Sequence, residues 1–278
     1  MILYIQPIFV SDHLRLEQNK KSIISIANYL KKYPHDVRFV LGGWAYNDDL
    51  WNSIKNTINE HIPKNKILIL KRFDKNYGKA YVVNSLYKLK GNVNFKYFLT
   101  CDSDIIFSQD CPNVFPRLID VANKSRNHTN KNFGYISLNQ KQGCCHLHHA
   151  LDVKYTIINR YSEKETLSYS RKANGIAGGC LFINRELWER IGGYKILGVY
   201  AGEDGAFLRD TYKSGYSFQV SNDIFIIHPH SPDKEYSEMK WKIAHNKELN
   251  NRNNGDPILH NKVINFMNNY WKNKNKND

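Results

Sequence analysis

Two aspartates stand one residue apart at the end of an apolar run and could hold a metal ion. The run from Tyr97 to Cys101 has the length of a buried strand, and Asp102 and Asp104 follow it. In an open α/β sheet, ligands bind beyond the carboxyl ends of the strands. Carboxylates at that edge can bind a hard divalent cation, which in turn binds phosphate oxygens. The alternative is a strand end followed by an Asx turn.

Strand-like and helix-like segments alternate through the first hundred residues and would position this pair. Apolar runs predict strands at Ile2–Val10, Val37–Leu41 (ended by Gly42-Gly43), Lys66–Leu70 and Lys96–Cys101. Helical periodicity predicts one helix capped by Ser11, one opened by Asp48 or Asp49, and one at Lys79–Leu89. The alternation implies right-handed βαβ units and a mostly parallel sheet.

Beyond Asp104 the pattern is less regular. We expect helices at 113–123, near 150–161 and at 203–213, and strands at 133–138, 176–184, 216–220 and 224–228. The prediction is an α/β fold over residues 1–230, in which helices flank the sheet.

Residues 231–278 are predicted to form a basic helical extension. An apolar stripe at helical spacing lies beside basic residues, and its members are Leu259, Val263, Phe266, Met267 and Tyr270. This helix could contact an anionic membrane surface or a partner, or it could be a last helix docked on the core.

The composition favours a globular protein with anionic partners. Hydrophobic residues make up 41% of the chain, and 40 Lys and Arg against 26 Asp and Glu give a net charge of +14. Nucleotides, phospholipid surfaces, nucleic acids and acidic glycans all suit that charge. The chain has no apolar run of roughly 18 residues, so no transmembrane helix is predicted. The start lacks the basic region and cleavage site of a signal peptide. The five cysteines have no paired spacing, which favours a reduced, cytoplasmic setting.

Four local patterns occur in a fixed order along the chain. They are Asn76-Tyr-Gly-Lys-Ala with Asn84, then Asp102-Ser-Asp104, then Gly178-Gly179 with the later Gly192-Gly193-Tyr194, and finally Gly202-Glu203-Asp204 at a helix start. This ordered set resembles the family 2 glycosyltransferases and their relatives of the GT-A fold. The resemblance implies metal-dependent transfer of a sugar from a nucleotide-sugar, with a UDP-sugar as first choice, to an acceptor hydroxyl. It assigns residues 1–104 to the nucleotide-sugar and residues 105–230 to the acceptor and catalysis.

The resemblance also implies which residues bind the metal. Asp104 is the expected direct ligand of Mn²⁺ or Mg²⁺, and Asp102 is expected to contact the donor ribose, or the metal through water. His228 is expected as a late third ligand, with His230 as its competitor and a structural histidine as the alternative. An imidazole ligand would favour Mn²⁺.

At the acceptor end, the resemblance to inverting members makes Asp204 the base that removes the proton of the acceptor hydroxyl. Glu203 would bind the acceptor or support the loop. The alternative is that both acids only stabilise the positive end of the helix dipole, by ~0.3–1 kcal/mol.

Other residues are expected around the donor. Arg72, Asn76 and Lys79 lie where a loop could approach the diphosphate or the base, although Lys79 could equally be a solvated residue at a helix start. Gly178 and Gly179 are expected to let the sugar lie against the backbone. For these glycines, the alternative is a bulge or tight strand packing.

The chain departs from the family pattern at two places. The first strand keeps Pro7, expected beside the nucleotide, but lacks the Thr, Tyr or Asn that usually follows. The acidic residue that reads the base after the second strand has no clear match, because Gly42-Gly43-Trp44 occupies its place. Trp44 could stack on a base or be structural.

The acceptor stays open at this point. A surface polysaccharide or lipid-linked glycan would suit a cytoplasmic enzyme whose basic tail lies on the inner membrane leaflet. A hydroxymethylated base of viral DNA would suit a positive surface in a host cytoplasm. Nucleotidyl transfer would need a Gly-rich phosphate loop that the end of the first strand lacks. A glycosidase would need two facing acids, and Asp102 and Asp104 are too close in sequence.

A run of zinc-ligand residue types stands at Cys144-Cys145-His146-Leu147-His148-His149. Its adjacent ligands do not match the usual zinc spacings. A loop near the acceptor or a buried strand end is the interpretation that the run favours.

Overall fold

A computed structural model of the chain describes residues 1–141, 153–157, 164–169, 178–197, 202–229, 234–246, 249 and 257–274. The strands are β1 (Ile2–Val10), β2 (Val37–Ala45), β3 (Ile67–Arg72), β4 (Tyr97–Cys101), β5 (Asn132–Lys141), β6 (Val153–Ile157), β7 (Glu165–Tyr169), β8 (Cys180–Asn184) and β9 (Tyr216–Ile227). The helices are α1 (His13–Lys32), α2 (Asp48–His61), α3 (Lys79–Leu89), α4 (Val114–Thr129), α5 (Arg185–Ile191), α6 (Glu203–Lys213), α7 (Lys234–His245) and α8 (Pro257–Lys274), with a 3₁₀ turn at Lys64–Lys66.

The strands of the described residues form one mixed sheet in the order β3-β2-β1-β4-β8-β5-β9-β7-β6. β1 pairs in parallel with β2 and β4, and β2 pairs in parallel with β3. β8 then lies antiparallel between β4 and β5, whereas β5 and β9 are parallel to each other. The predicted α/β architecture, a largely parallel sheet flanked by helices, is therefore confirmed.

Helices cover both faces of this sheet because its central strands are apolar on both sides. On β1, Tyr4 packs into a cluster that contains apolar residues of α1, α2 and α4. The neighbouring Leu3 and Ile5 pack into a second cluster with residues of α3, α5 and α6. Alternate residues of a strand point to opposite faces, so one continuous apolar run builds both layers of the core.

The C-terminal helices pack on the end of the sheet. Met239 and Ile243 of α7 and Met267 and Trp271 of α8 form a buried cluster with Trp44 at the end of β2. The stripe members Val263, Phe266, Met267 and Tyr270 thus pack against the protein's own core, which is the docked-helix alternative. Within the described part of the chain, no helix combines the length and the apolar character needed to cross a bilayer.

Most predicted elements of the first half are present, but two boundaries were wrong. Ser11 does not cap α1, because Asp12 is the N-cap and its Oδ1 accepts the backbone N–H of Arg15 at 2.8 Å. The glycines at 42 and 43 do not end β2, which continues to Ala45. A Cβ on Gly43 would lie 1.8 Å from the Ile8 carbonyl oxygen, so this glycine allows close packing of neighbouring strands.

Two predictions in the second half were also wrong. Where a helix was expected near 150–161, the described residues Val153–Ile157 form a strand that pairs with Glu165–Tyr169. The two strands expected after residue 215 are one, β9. Its register with β5 shifts between Ser137 and Asn139, so the residues between the two expected strands form an irregularity within β9.

Replacing Trp271 with Ala should lower the free energy of unfolding by about 3–5 kcal/mol, since a large buried side chain leaves a cavity. Trp271 is 0% exposed and packs against Phe9 with ring centroids 6.2 Å apart. Trp241 on α7 is 60% exposed, so Trp241→Ala should change stability by no more than about 0.5 kcal/mol. Urea unfolding followed by far-UV circular dichroism compares the two, and equal stabilities would mean that α8 is not docked.

Candidate active site

A cavity of about 300 Å³ opens at the carboxyl ends of β1 and β4. The sequence-predicted residues that line it are Pro7, Asn76, Lys79, Asp102, Asp104, Glu203, Asp204 and His228. They come from strand ends, helix starts and the residue after β9, which meet at one edge of the sheet. The acids of the Asp-Ser-Asp motif and those at the start of α6 therefore face the same space.

Asp102 sits at the end of β4 and contacts a lysine. Its backbone N–H donates to the Gly179 carbonyl at 2.7 Å, which extends the pairing of β4 with β8. Its Oδ1 lies 2.9 Å from Nζ of Lys79. Burial raises the pKa of Asp102, and the nearby ammonium opposes that shift.

Lys79 begins α3 and connects the two acidic groups. Its Nζ donates to the Gly178 carbonyl at 2.7 Å and lies 3.7 Å from Oδ1 of Asp204, in addition to its contact with Asp102. Burial alone would lower the pKa of Lys79, but Asp102 and Asp204 outweigh it and raise the pKa well above its ordinary value. Only 17% of the side chain is exposed, so Lys79 is not a solvated residue at a helix start.

Asp104 contacts a different pair of side chains. Its Oδ1 lies 3.4 Å from Nε2 of His228, and its Oδ2 lies 3.5 Å from Nη1 of Arg15. Burial would raise the pKa of Asp104, but His228 and Arg15 outweigh burial and lower it. Arg15 is itself buried and lines the cavity from the first turn of α1.

Asp104 and His228 fit two ligands of one divalent cation. Two adjacent ligands of an octahedral ion, each about 2.1 Å from it, are about 3 Å apart. The distance of 3.4 Å between Oδ1 and Nε2 is close to that value. Asp102 does not join them, and the described residues contain no group of three or more His, Cys, Asp or Glu side chains placed for a metal. A cation held here would take its other ligands from phosphate oxygens and water, as Mg²⁺ commonly does.

Glu203 and Asp204 open α6 after Gly202, which has a φ of 72°. Their position in the first turn places both carboxylates at the positive end of the helix dipole. Burial, followed by the negative charge of Asp204, raises the pKa of Glu203. A carboxylate with a raised pKa is suited to proton transfer near neutral pH.

Gly178 and Gly179 are buried and do not line the cavity. A Cβ on Gly178 would lie 1.9 Å from Oδ1 of Asp204, and a Cβ on Gly179 would lie 2.9 Å from Nε2 of Gln140. Both distances are too short for real contacts. The two glycines therefore make room for side chains of this protein, and their predicted contact with the sugar stays a prediction.

Solved structures match almost the whole chain at low sequence identity. A mannosyltransferase from Pyrobaculum calidifontis, PcManGT in complex with GDP-Man and Mn²⁺, has a TM-score of 0.58 at 15% identity over 97% of this chain and 69% of its own. S. aureus TarS 1-349 in complex with UDP-GlcNAc has a TM-score of 0.53 at 14% identity, with coverages of 98% and 73%. GalNAc-T7 with UDP, GalNAc and Mn²⁺ has a TM-score of 0.57 at 11% identity, with coverages of 97% and 55%.

The chain has the GT-A fold. No family model matches its sequence, and no curated protein matches it. The likeness therefore rests on tertiary structure, and the order of motifs in the sequence agrees with it.

Two of the expected donor residues lie outside the cavity of this GT-A fold. Trp44 stacks on Phe9 with ring centroids 5.7 Å apart and is covered by the cluster of α7 and α8. Arg72 places its Nη1 2.5 Å from Oδ1 of Asp48, at the start of α2. The C-terminal helices thus occupy the space that Trp44 would need to stack on a base.

Sequence reasoning missed three residues beside the GT-A cavity. Arg15 had a usable signal, because a cation in the first turn after β1 must lie near the carboxyl edge of the sheet. Lys240 of α7 lines the cavity but belongs to the extension, which carried no local signal of contact. Gln140 ends near His228 only because β5 and β9 pair.

The motif of cysteines and histidines at 144–149 and the competitor His230 lie outside the described residues. Their predicted roles therefore stay predictions.

Proposed function

We propose that this chain is a metal-dependent glycosyltransferase that moves a sugar from a nucleotide-sugar to an acceptor hydroxyl. One observation carries the proposal. In a GT-A fold, one cavity is lined by the Asp104 and His228 pair and by the Glu203 and Asp204 pair, and Lys79 contacts both Asp102 and Asp204. Sugar transfer requires that the residues that bind the donor and those that bind the acceptor face the same cavity.

The first pair suits the diphosphate of the donor. Asp104 and His228 would hold Mn²⁺ or Mg²⁺, which when bound neutralises negative charge on the departing nucleoside diphosphate. Arg15 presents positive charge beside Asp104, and Lys79 presents it beside Asp102. The similar structures were solved with GDP-Man or UDP-GlcNAc, and we place a UDP-sugar first among the donors.

The second pair suits the acceptor. In our proposal, Asp204 accepts the proton of the acceptor hydroxyl. The hydroxyl oxygen attacks the anomeric carbon from the side opposite the diphosphate, which inverts that centre. Glu203 would bind the acceptor from the neighbouring position on α6. Nζ of Lys79, which lies 3.7 Å from Oδ1 of Asp204, would stabilise the negative charge of this carboxylate until it accepts the acceptor proton.

We propose a surface polysaccharide or a lipid-linked glycan as the acceptor. The net charge of +14 also suits a hydroxymethylated DNA base as acceptor. Binding to duplex DNA that weakens steeply with salt would favour the DNA base as acceptor. Binding to anionic vesicles, with no binding to duplex DNA, would favour the glycan.

A donor screen tests the proposed activity. We expect release of the nucleoside phosphate from one class among UDP-, GDP- and CMP-sugars with Mn²⁺, and no release with EDTA. Release by slow hydrolysis needs no acceptor, so the unknown acceptor does not prevent the test. If no donor in any class is bound or hydrolysed with either Mn²⁺ or Mg²⁺, the proposed function is wrong.

A further inference from the structure

Gln140 lies behind His228, on the side away from Asp104. Gln140 is the next-to-last residue of β5. His228 directly follows β9, which runs parallel to β5. The backbone N–H of His228 donates to the Lys141 carbonyl at 3.0 Å, so the sheet fixes both residues. Gln140 is 6% exposed and does not line the cavity.

The side chains of Gln140 and His228 share a hydrogen bond. Oε1 of Gln140 lies 2.9 Å from Nδ1 of the imidazole. An amide oxygen can only accept, so Nδ1 carries the proton and donates it. When the ring is neutral, the other ring nitrogen, Nε2, has a lone pair, and it faces Oδ1 of Asp104 at 3.4 Å. Two acceptors facing each other at this distance are suited to a cation between them.

We infer that Gln140 is a positioning residue that fixes the tautomer of His228 and so presents Nε2 as a metal ligand. The inference rests on the proposed function, because that function supplies the divalent cation. Side chains behind metal-binding histidines commonly act in this way, by accepting the proton of the ring nitrogen that does not bind the metal.

Gly179 explains why the amide of Gln140 can lie there. A Cβ at position 179 would stand 2.9 Å from Nε2 and 3.1 Å from Oε1 of Gln140. Nε2 of Gln140 has no hydrogen-bond partner among the described residues, so the contact of Oε1 with His228 is the polar contact that holds this amide. Gly179→Ala should therefore displace Gln140 without changing its chemistry.

The tautomer can be measured on the metal-free protein. Long-range ¹H–¹⁵N NMR correlations distinguish a proton on Nδ1 from one on Nε2, and His228→Ala identifies the signals of this ring. We expect the proton on Nδ1 in the wild type and in Gln140→Glu, whose carboxylate also accepts. Gln140→Leu should lose this fixed tautomer. A wild-type ring protonated on Nε2 alone would overturn the inference.

Metal affinity supplies the second measurement. Mn²⁺ titration with UDP present, followed by the EPR signal of free Mn²⁺, should show binding about 10–100-fold weaker for Gln140→Leu than for the wild type. Gln140→Glu should bind nearly as tightly as the wild type. Gln109→Leu is the matched control, because Oε1 of Gln109 has no hydrogen-bond partner among the described residues.

The outcomes separate the two proposals. If the wild type binds no Mn²⁺ and the donor screen is also negative, the proposed function fails, and the NMR result still decides the tautomer. If the wild type binds Mn²⁺ and Gln140→Leu binds it equally well, the inference about Gln140 is wrong. Thermal unfolding checks that the variants fold, and Gly179→Ala replaces Gln140→Leu if the latter does not.

Discussion

Replacing Asp104 with Ala should abolish metal-dependent donor binding and lower turnover at least about a thousandfold. A metal ion contributes several kcal/mol of charge stabilisation to such a reaction, and each 1.36 kcal/mol is a factor of ten in rate. Asp104 contacts both His228 and Arg15, so its removal takes away one metal ligand and leaves a buried guanidinium without this carboxylate. The measurements are Mn²⁺ titration with UDP and the rate of nucleoside phosphate release.

Two further variants make the Asp104 result specific. Asp104→Asn keeps the side-chain volume and removes the charge, so it should also lose metal binding. This variant separates the loss of the ligand from any loss of stability in Asp104→Ala. Asp36→Ala removes a half-exposed acid that pairs with Lys66 near the start of β2, and it should leave turnover unchanged. Normal Mn²⁺ affinity in Asp104→Asn would show that this aspartate is not a ligand.

Asp204→Asn should lower the rate of sugar transfer by about 10²–10⁴-fold and leave donor binding unchanged, since that is the usual contribution of a general base. An amide cannot accept the acceptor proton, but it has nearly the size of the carboxylate and fits against Gly178. Lys79 should stay in place, because it also contacts Asp102 at 2.9 Å and the Gly178 carbonyl at 2.7 Å. Transfer to acceptor and Kd for UDP are measured separately.

The matched control for Asp204 is on the same helix. Asp210 pairs with Lys195 at 3.0 Å and does not line the cavity, so Asp210→Asn should transfer sugar at the normal rate. Glu203→Gln tests the neighbouring acid. If Asp204→Asn transfers normally and Glu203→Gln does not, the base is Glu203, whose pKa is raised by burial and by Asp204.

Local patterns in the sequence predicted the elements that carry the site. The apolar run before Asp102 predicted β4, and the structure gives Tyr97–Cys101. The helix starts at Lys79 and Glu203 were also predicted where they occur. These elements depend on residues close together in sequence, such as apolar spacing and glycines before a helix, so a single chain contains the information. The roles of the site residues stay predictions.

Only the tertiary structure decided which side chains meet. Asp102 and Asp104 are neighbours in sequence, yet one contacts Lys79 and the other contacts His228 and Arg15. Trp44 is covered by α8, which begins more than two hundred residues later in the chain. Such contacts depend on how strands order in the sheet and how helices pack on it, and local periodicity carries no information about either. The sequence by itself therefore determined the types and local positions of the reactive groups, and packing over long sequence distances decided their partners.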